Sequence, residues 1–132
     1  MLPPNIEKII TTDYENNHQG REYSPETAIK SFMAYLATGG KSSLIGNVII
    51  LYKKAGEKAL EFHCINGGSA EDLVSSLQEF LLEMSKSFAS AITYYDNPAI
   101  NKLAVHSHFP ATVHRVDQGR DKTYAMLFNL RG

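Results

Sequence analysis

The sequence predicts an α/β domain with a mixed, mainly antiparallel central sheet and flanking helices. Three observations carry this prediction. Apolar runs of strand length alternate with helix-period runs in the order strand, helix, hairpin, helix, strand, helix, hairpin, which requires a mixed sheet with helices packed on its faces. Hydrophobic residues make up 43% and charged residues 20% of the chain, the composition of an ordinary packed core and not of a disordered or disulfide-rich chain. The 132 residues are enough for one core and too few for two, so residues 1–132 are expected to form a single domain.

Ile6–Thr11 reads as a short strand, and the polar run Asp13–Gly20, which has no periodicity, reads as a loop able to act as a mobile lid. Ser24 as N-cap and Pro25 at the first helical position open a helix with Ile29, Phe32, Met33 and Leu36 on one face, stopped by Gly39-Gly40. Leu44–Lys53 and Lys58–Ile65 read as two strands joined by Lys54-Ala55-Gly56-Glu57 into a hairpin.

Asn66-Gly67-Gly68 ends the second strand. Ser69, with Asp72 three residues on, gives a capping-box-like start to a helix whose Leu73, Leu77, Phe80, Leu81, Met84 and Phe88 form one wide apolar face. Ser90–Tyr95 is strand-like, so this stretch is a crossover unit. Asp96-Asn97-Pro98 opens another amphipathic helix in which Ile100, Leu103, Ala104 and Phe109 face inward. Ala111–Val116 and Lys122–Leu130 flank the turn-rich Asp117–Asp121 as a last antiparallel pair.

Thirteen Lys and Arg against fourteen Asp and Glu leave a formal charge of −1, which provides no electrostatic footprint for nucleic acid or an anionic membrane. No apolar run approaches the roughly 18 residues of a membrane helix. Cys64 stands alone and cannot close an intrachain disulfide, and the Met-Leu-Pro-Pro-Asn start has neither a basic nor an apolar leader region, so a cytoplasmic address is expected.

From Lys58 onward the element order and several residues resemble the GNAT family of N-acetyltransferases, whose second half runs strand, phosphate loop and helix, strand, helix, and two antiparallel strands. The clearest carrier is Asn97-Pro98-Ala99-Ile100-Asn101-Lys102-Leu103-Ala104-Val105-His106-Ser107-His108-Phe109. Family members commonly read Asn, two residues, Ala, two residues, Leu-Tyr-Glu-Lys, one residue, Gly-Phe over this stretch. Asn97, Leu103 and Phe109 fit that pattern, and Ile100 stands conservatively at the Ala.

The resemblance implies an acyl-CoA N-acyltransferase-like fold that uses acetyl-CoA and takes a small-molecule or protein amine as acceptor. It implies coenzyme A between the strand ending at Ile65 and the strand starting at Ser90, with Asn97 near the acyl group where the two strands splay. The family's phosphate signature, Gln or Arg, two residues, Gly, one residue, Gly or Ala, falls on Ile65–Ala70, with Gly68 and Ala70 retained and Ile65 at the Gln/Arg position. The cofactor-binding set it implies is Cys64, Ile65, Gly67, Gly68, Ser69, Ala70 and Asn97. Amides at a helix N-terminus hold a pyrophosphate through their exposed N–H groups. An ordinary helix cap also accounts for Ser69–Asp72, and Glu71 and Asp72 in the first turn would repel a second anion.

Amide formation needs a base for the amine proton and an acid for the leaving thiolate. Glu61 and His63 share one strand face by two-residue alternation and are the candidate base, or else a solvent-facing, hydrogen-bonded pair. The family's helical tyrosine aligns with Ala104, which has no proton to give; Tyr94 and Tyr95 are nearby and read as packed aromatics. The alternative function is a non-catalytic accessory protein, similar to the short degenerate acetyltransferase-like proteins of tailed phages or prophages that act around virion assembly. A third reading gathers His106, His108 and His114 with His63 or Cys64 around a zinc ion, although a His at a helix C-terminus is favoured by the dipole without any metal. No metal is assigned. Gly119-Arg120-Asp121-Lys122 reads as a solvated turn.

Overall fold

The structure, a computed structural model, describes residues 2–17, 24–116 and 124–131. Its elements are α1 (Pro4–Asn17), α2 (Pro25–Ala37), β1 (Lys41–Ile45), β2 (Val48–Lys54), β3 (Ala59–Asn66), α3 (Ala70–Met84), β4 (Ser90–Tyr95), a 3-10 helix (Pro98–Lys102), α4 (Leu103–His106), β5 (Ala111–Arg115) and β6 (Tyr124–Asn129). The six strands form one mixed sheet in the order β1-β2-β3-β4-β6-β5, with β3 and β4 parallel. The described residues gather into two compact units: the chain up to Tyr52 with Cys64–Ser76, and Lys53–His63 with the chain from Leu77 onward.

In the first unit the expected strand Ile6–Thr11 is instead part of helix α1. The β-branched run Ile9-Ile10-Thr11-Thr12 has strand propensity, but Ile6, Ile9 and Ile10 also recur at helical spacing and Pro4 suits a first helical position. Burial decides between the two: Ile9 and Ile10 join Phe32, Ile49 and Leu51 in one core cluster, with Ile6, Ala28, Ile29, Leu36 and Ile65 packed around it. The expected loop from Asp13 is therefore helical as far as Asn17, and the remainder of the supposed lid, residues 18–20, lies outside the described residues.

Helix α2 starts at the predicted cap, where Ser24 Oγ accepts from Thr27 N–H at 3.4 Å. It ends before Gly39, whose φ of +98° is the left-handed conformation glycine adopts cheaply. Met33 faces solvent at 46% exposure, so the buried stripe is narrower than predicted. The single strand expected over Leu44–Lys53 is two strands, β1 and β2, folded at Gly46-Asn47 so that Ile45 pairs with Val48. Gly46 sits at φ +59°, the positive value a tight hairpin turn demands.

The second unit carries the hairpin link, in which Ala55 N–H donates to Ala59 C=O at 2.9 Å. Alternation along β4 sends Ala91, Thr93 and Tyr95 inward. Phe62 packs on Phe80 and Phe128 with ring centroids 5.8 and 5.9 Å apart, and Leu77, Phe80 and Leu81 of α3 are buried as their spacing predicts. Leu73 and Met84 are half-buried at the ends of that stripe. The helix predicted after Asn97 is a 3-10 turn followed by one α-turn, tied to α3 by a hydrogen bond from Gln78 Nε2 to the His106 carbonyl. The turn Asp117–Asp121 and Lys122 lie outside the described residues. No helix among the described residues is long and apolar enough to cross a membrane.

Candidate active site

The parallel ladder between β3 and β4 is short. It runs from Ala59↔Ser90 through Leu60↔Ala91 to Glu61↔Ile92 and stops there, although β3 continues through Phe62 and His63 and β4 continues to Tyr95. On its other side β4 pairs with β6 along its whole length, from Ser90↔Asn129 to Tyr95↔Tyr124. Beyond Glu61 and Ile92 the register between β3 and β4 is not continued.

Glu61 and His63 sit where this ladder ends, both half-buried and on the sheet face opposite Phe62. Glu61 Oε2 lies 3.4 Å from His63 Nε2 and 3.9 Å from Lys53 Nζ. The sequence reading paired Glu61 with His63 and missed Lys53. The signal was in the hairpin link: counting back from the Ala55–Ala59 closure brings Lys53 opposite Glu61.

The amides of the loop after β3 are taken up by its own side chains, by Asp13 of α1 and by the Asn47 carbonyl. Asn66 N–H donates to Asp13 Oδ1 at 3.0 Å, Gly67 N–H to the Asn47 carbonyl at 2.8 Å, and Gly68 N–H to Asn66 Oδ1 at 2.9 Å. Ser69 N–H donates to Asp72 Oδ2 at 2.8 Å while Asp72 N–H donates back to Ser69 Oγ at 3.1 Å, a reciprocal capping box. The glycines are dictated by crowding. A Cβ on Gly67 would stand 3.0 Å from Ile9 Cα and 3.1 Å from the Asn47 oxygen, and one on Gly68 would stand 2.2 Å from Asp72 Oδ2.

Ile65, at the family's Gln/Arg position, is packed against the Ile9, Ile10 and Phe32 cluster, which explains an apolar residue there. Cys64 is half-buried, and burial pushes its thiol up to about 12, with the Asp13 carboxylate adding to the rise. Asp13 went unnoticed in the sequence because nothing local marks a helix residue as the partner of an amide more than fifty positions away.

Asn97 caps the 3-10 helix, its Oδ1 accepting from Ala99 N–H at 3.0 Å. Tyr95 is buried, stacks on Tyr124 with centroids 5.6 Å apart and hydrogen-bonds Asn101 Oδ1 through its hydroxyl. Burial, and secondarily Tyr124, raise its proton affinity. Tyr94 lies on the Glu61 face, half-buried, two residues beyond Ile92. The remaining histidines are dispersed. His106 ends α4, His108 holds a backbone φ of +66°, and His114 on β5 pairs with Thr112 Oγ1 at 3.0 Å. Among the described residues no group of three His, Cys, Asp or Glu is placed to hold a metal ion.

Solved structures share this architecture over nearly the whole chain. A spermidine N-acetyltransferase chimera from Vibrio cholerae superposes with a TM-score of 0.62 at 12% identity, covering 98% of this chain and 95% of its own. A Salmonella typhimurium acetyltransferase that modifies the N-terminal serine of a 50S ribosomal subunit protein gives 0.64 at 15% identity, over 95% and 86%. A microcin self-immunity acetyltransferase, solved with acetyl-CoA and AMP, gives 0.58 at 9% identity, over 94% and 83%. No protein-family profile matches the chain, and no curated protein matches it in sequence. The fold is that of the GNAT acetyltransferases.

Proposed function

We propose that the chain is an acyl-CoA-dependent N-acyltransferase with an atypical site, acting as one domain over residues 1–132 in the cytoplasm and taking an amine as acceptor. The observation that supports it is the interrupted β3–β4 ladder. Two strands whose register ends partway suit an extended, amide-bearing ligand, and the pantetheine arm of coenzyme A is such a ligand. The ends of β3 and β4 beyond Glu61 and Ile92 would flank that arm, and acetyl-CoA would supply the activated acyl group. Glu61 and His63 are the candidate base: one of them takes the proton of the acceptor ammonium, which frees the nitrogen lone pair to attack a carbonyl carbon. Tyr95 is not the acid in this scheme, since its hydroxyl is committed to Asn101. The polyamine and N-terminal serine handled by the similar acetyltransferases make these two amine classes the first acceptors to try.

The pyrophosphate end fits less well. The N–H groups of Asn66, Gly67, Gly68 and Ser69 already have acceptors, and Asp13 and Asp72 bring carboxylates to the loop. Of the assigned set Cys64, Ile65, Gly67, Gly68, Ser69 and Ala70, helix geometry leaves the Ala70 amide outward-facing, beside that of Glu71. This favours a second reading, a non-catalytic accessory protein of a phage or prophage that keeps the fold without the cofactor. Calorimetric titration with acetyl-CoA, paired with thiol release in the presence of spermidine or a serine-leading peptide, separates the two. Specific heat and turnover are expected for the enzyme, and absence of both overturns it in favour of the accessory protein.

A further inference from the structure

We propose that Lys53 is a positioning residue of this site, sharing one Glu61 oxygen with His63 and so keeping Glu61 as the anchoring carboxylate and His63 as the group that takes the amine proton. The inference rests on the N-acyltransferase reading and assigns roles within it. A single oxygen, Glu61 Oε2, meets both cations-in-waiting, His63 Nε2 at 3.4 Å and Lys53 Nζ at 3.9 Å. The side chains of Lys53, His63 and Glu61 are 51%, 31% and 24% exposed, so the carboxylate is the least solvated of the three. An ionised carboxylate only accepts, so His63 donates through Nε2 and carries its lone pair on Nδ1.

The carboxylate alone would favour the imidazolium, which is useless as a base. A Lys53 ammonium on the same oxygen opposes that effect. The charged groups that meet at this oxygen are Lys53 from β2 and His63 from β3. One proton of the acceptor ammonium passes to His63 Nδ1 and the amine nitrogen bonds to the thioester carbonyl carbon. As the C–S bond breaks, the second N–H proton leaves with the thiolate, giving amide, free thiol and imidazolium.

The test follows the His63 imidazole by NMR across pH in the full chain, for the native protein and for Lys53→Met, Lys53→Arg and Glu61→Gln. The His63 midpoint is expected to rise by roughly half a pH unit in Lys53→Met and to fall in Glu61→Gln, with Lys53→Arg near native. The acid limb of kcat/KM should move upward with it in Lys53→Met, lowering activity at neutral pH and restoring it at higher pH, with KM for the amine little changed. Turnover with an unmoved midpoint and an unmoved limb in Lys53→Met overturns the role of Lys53 and leaves the acyltransferase reading standing. A moved midpoint in a protein that turns over no amine overturns the acyltransferase reading itself, and the proposed role falls with it.

Discussion

Cys64 and Asp72 show how single side chains here are fitted for quiet roles. A thiol held up at about 12 is protonated at neutral pH and is a poor nucleophile. Cys64 should therefore resist iodoacetamide at pH 8 in the folded protein and react only after denaturation, as mass spectrometry would show; rapid alkylation of the native chain would contradict the assigned environment. The sign of the linkage is also fixed. The folded thiol keeps its proton where the unfolded one, near 9.0, releases it, and Tyr95 behaves in the same direction. Both contributions are complete below the unfolded values and are lost as pH rises, so Tm should fall as pH climbs above 9, less steeply in Cys64→Ala. Asp72 works in two directions. Its carboxylate accepts from Ser69 N–H and complements the α3 dipole, so Asp72→Asn should cost about 0.3–1 kcal/mol in thermal melts. It also repels a pyrophosphate at the same amides, so the variant should bind acetyl-CoA more tightly in titrations, and a weaker affinity would mean that the carboxylate orders the loop for the ligand.

Helix α3 is the element whose packing face the sequence predicts most completely. Leu77 is 1% exposed among Phe80 and Leu81, so Leu77→Ala should destabilise by about 2–5 kcal/mol in denaturant unfolding. At the loop that feeds this helix, Gly67→Ala should cost roughly 1–3 kcal/mol, because the new Cβ meets the backbone of Ile9 and Asn47, neither of which can swing aside. What was legible follows from how local each signal is. Ser24, Ser69 and Asn97 announce helix starts within three or four residues, and all three cap helices. Ile6–Thr11 misleads because β-branched residues carry strand propensity, and only burial of Ile9 and Ile10 against Phe32 reveals the helix. Gly46-Asn47 is hidden as a turn because apolar residues flank it on both sides. Glu61 and His63 are legible as a pair through alternation. Lys53 depends on hairpin register, and Asp13 depends on a contact that exists only once the chain has folded.

Across the whole molecule the sheet is joined unevenly. β4 is held to β6 by six residue pairs and to β3 by three, so the second unit has a seam that is sewn for half its length. A seam of that kind opens before its surroundings do, since local openings start where fewest backbone bonds must break together. Deuterium uptake should accordingly be slower for amides between β4 and β6 than for those between β3 and β4 near the end of their register at Glu61 and Ile92. Acetyl-CoA should slow uptake there first. Beyond that point β4 keeps a ladder on one side only, so its hold on the sheet there rests on β6.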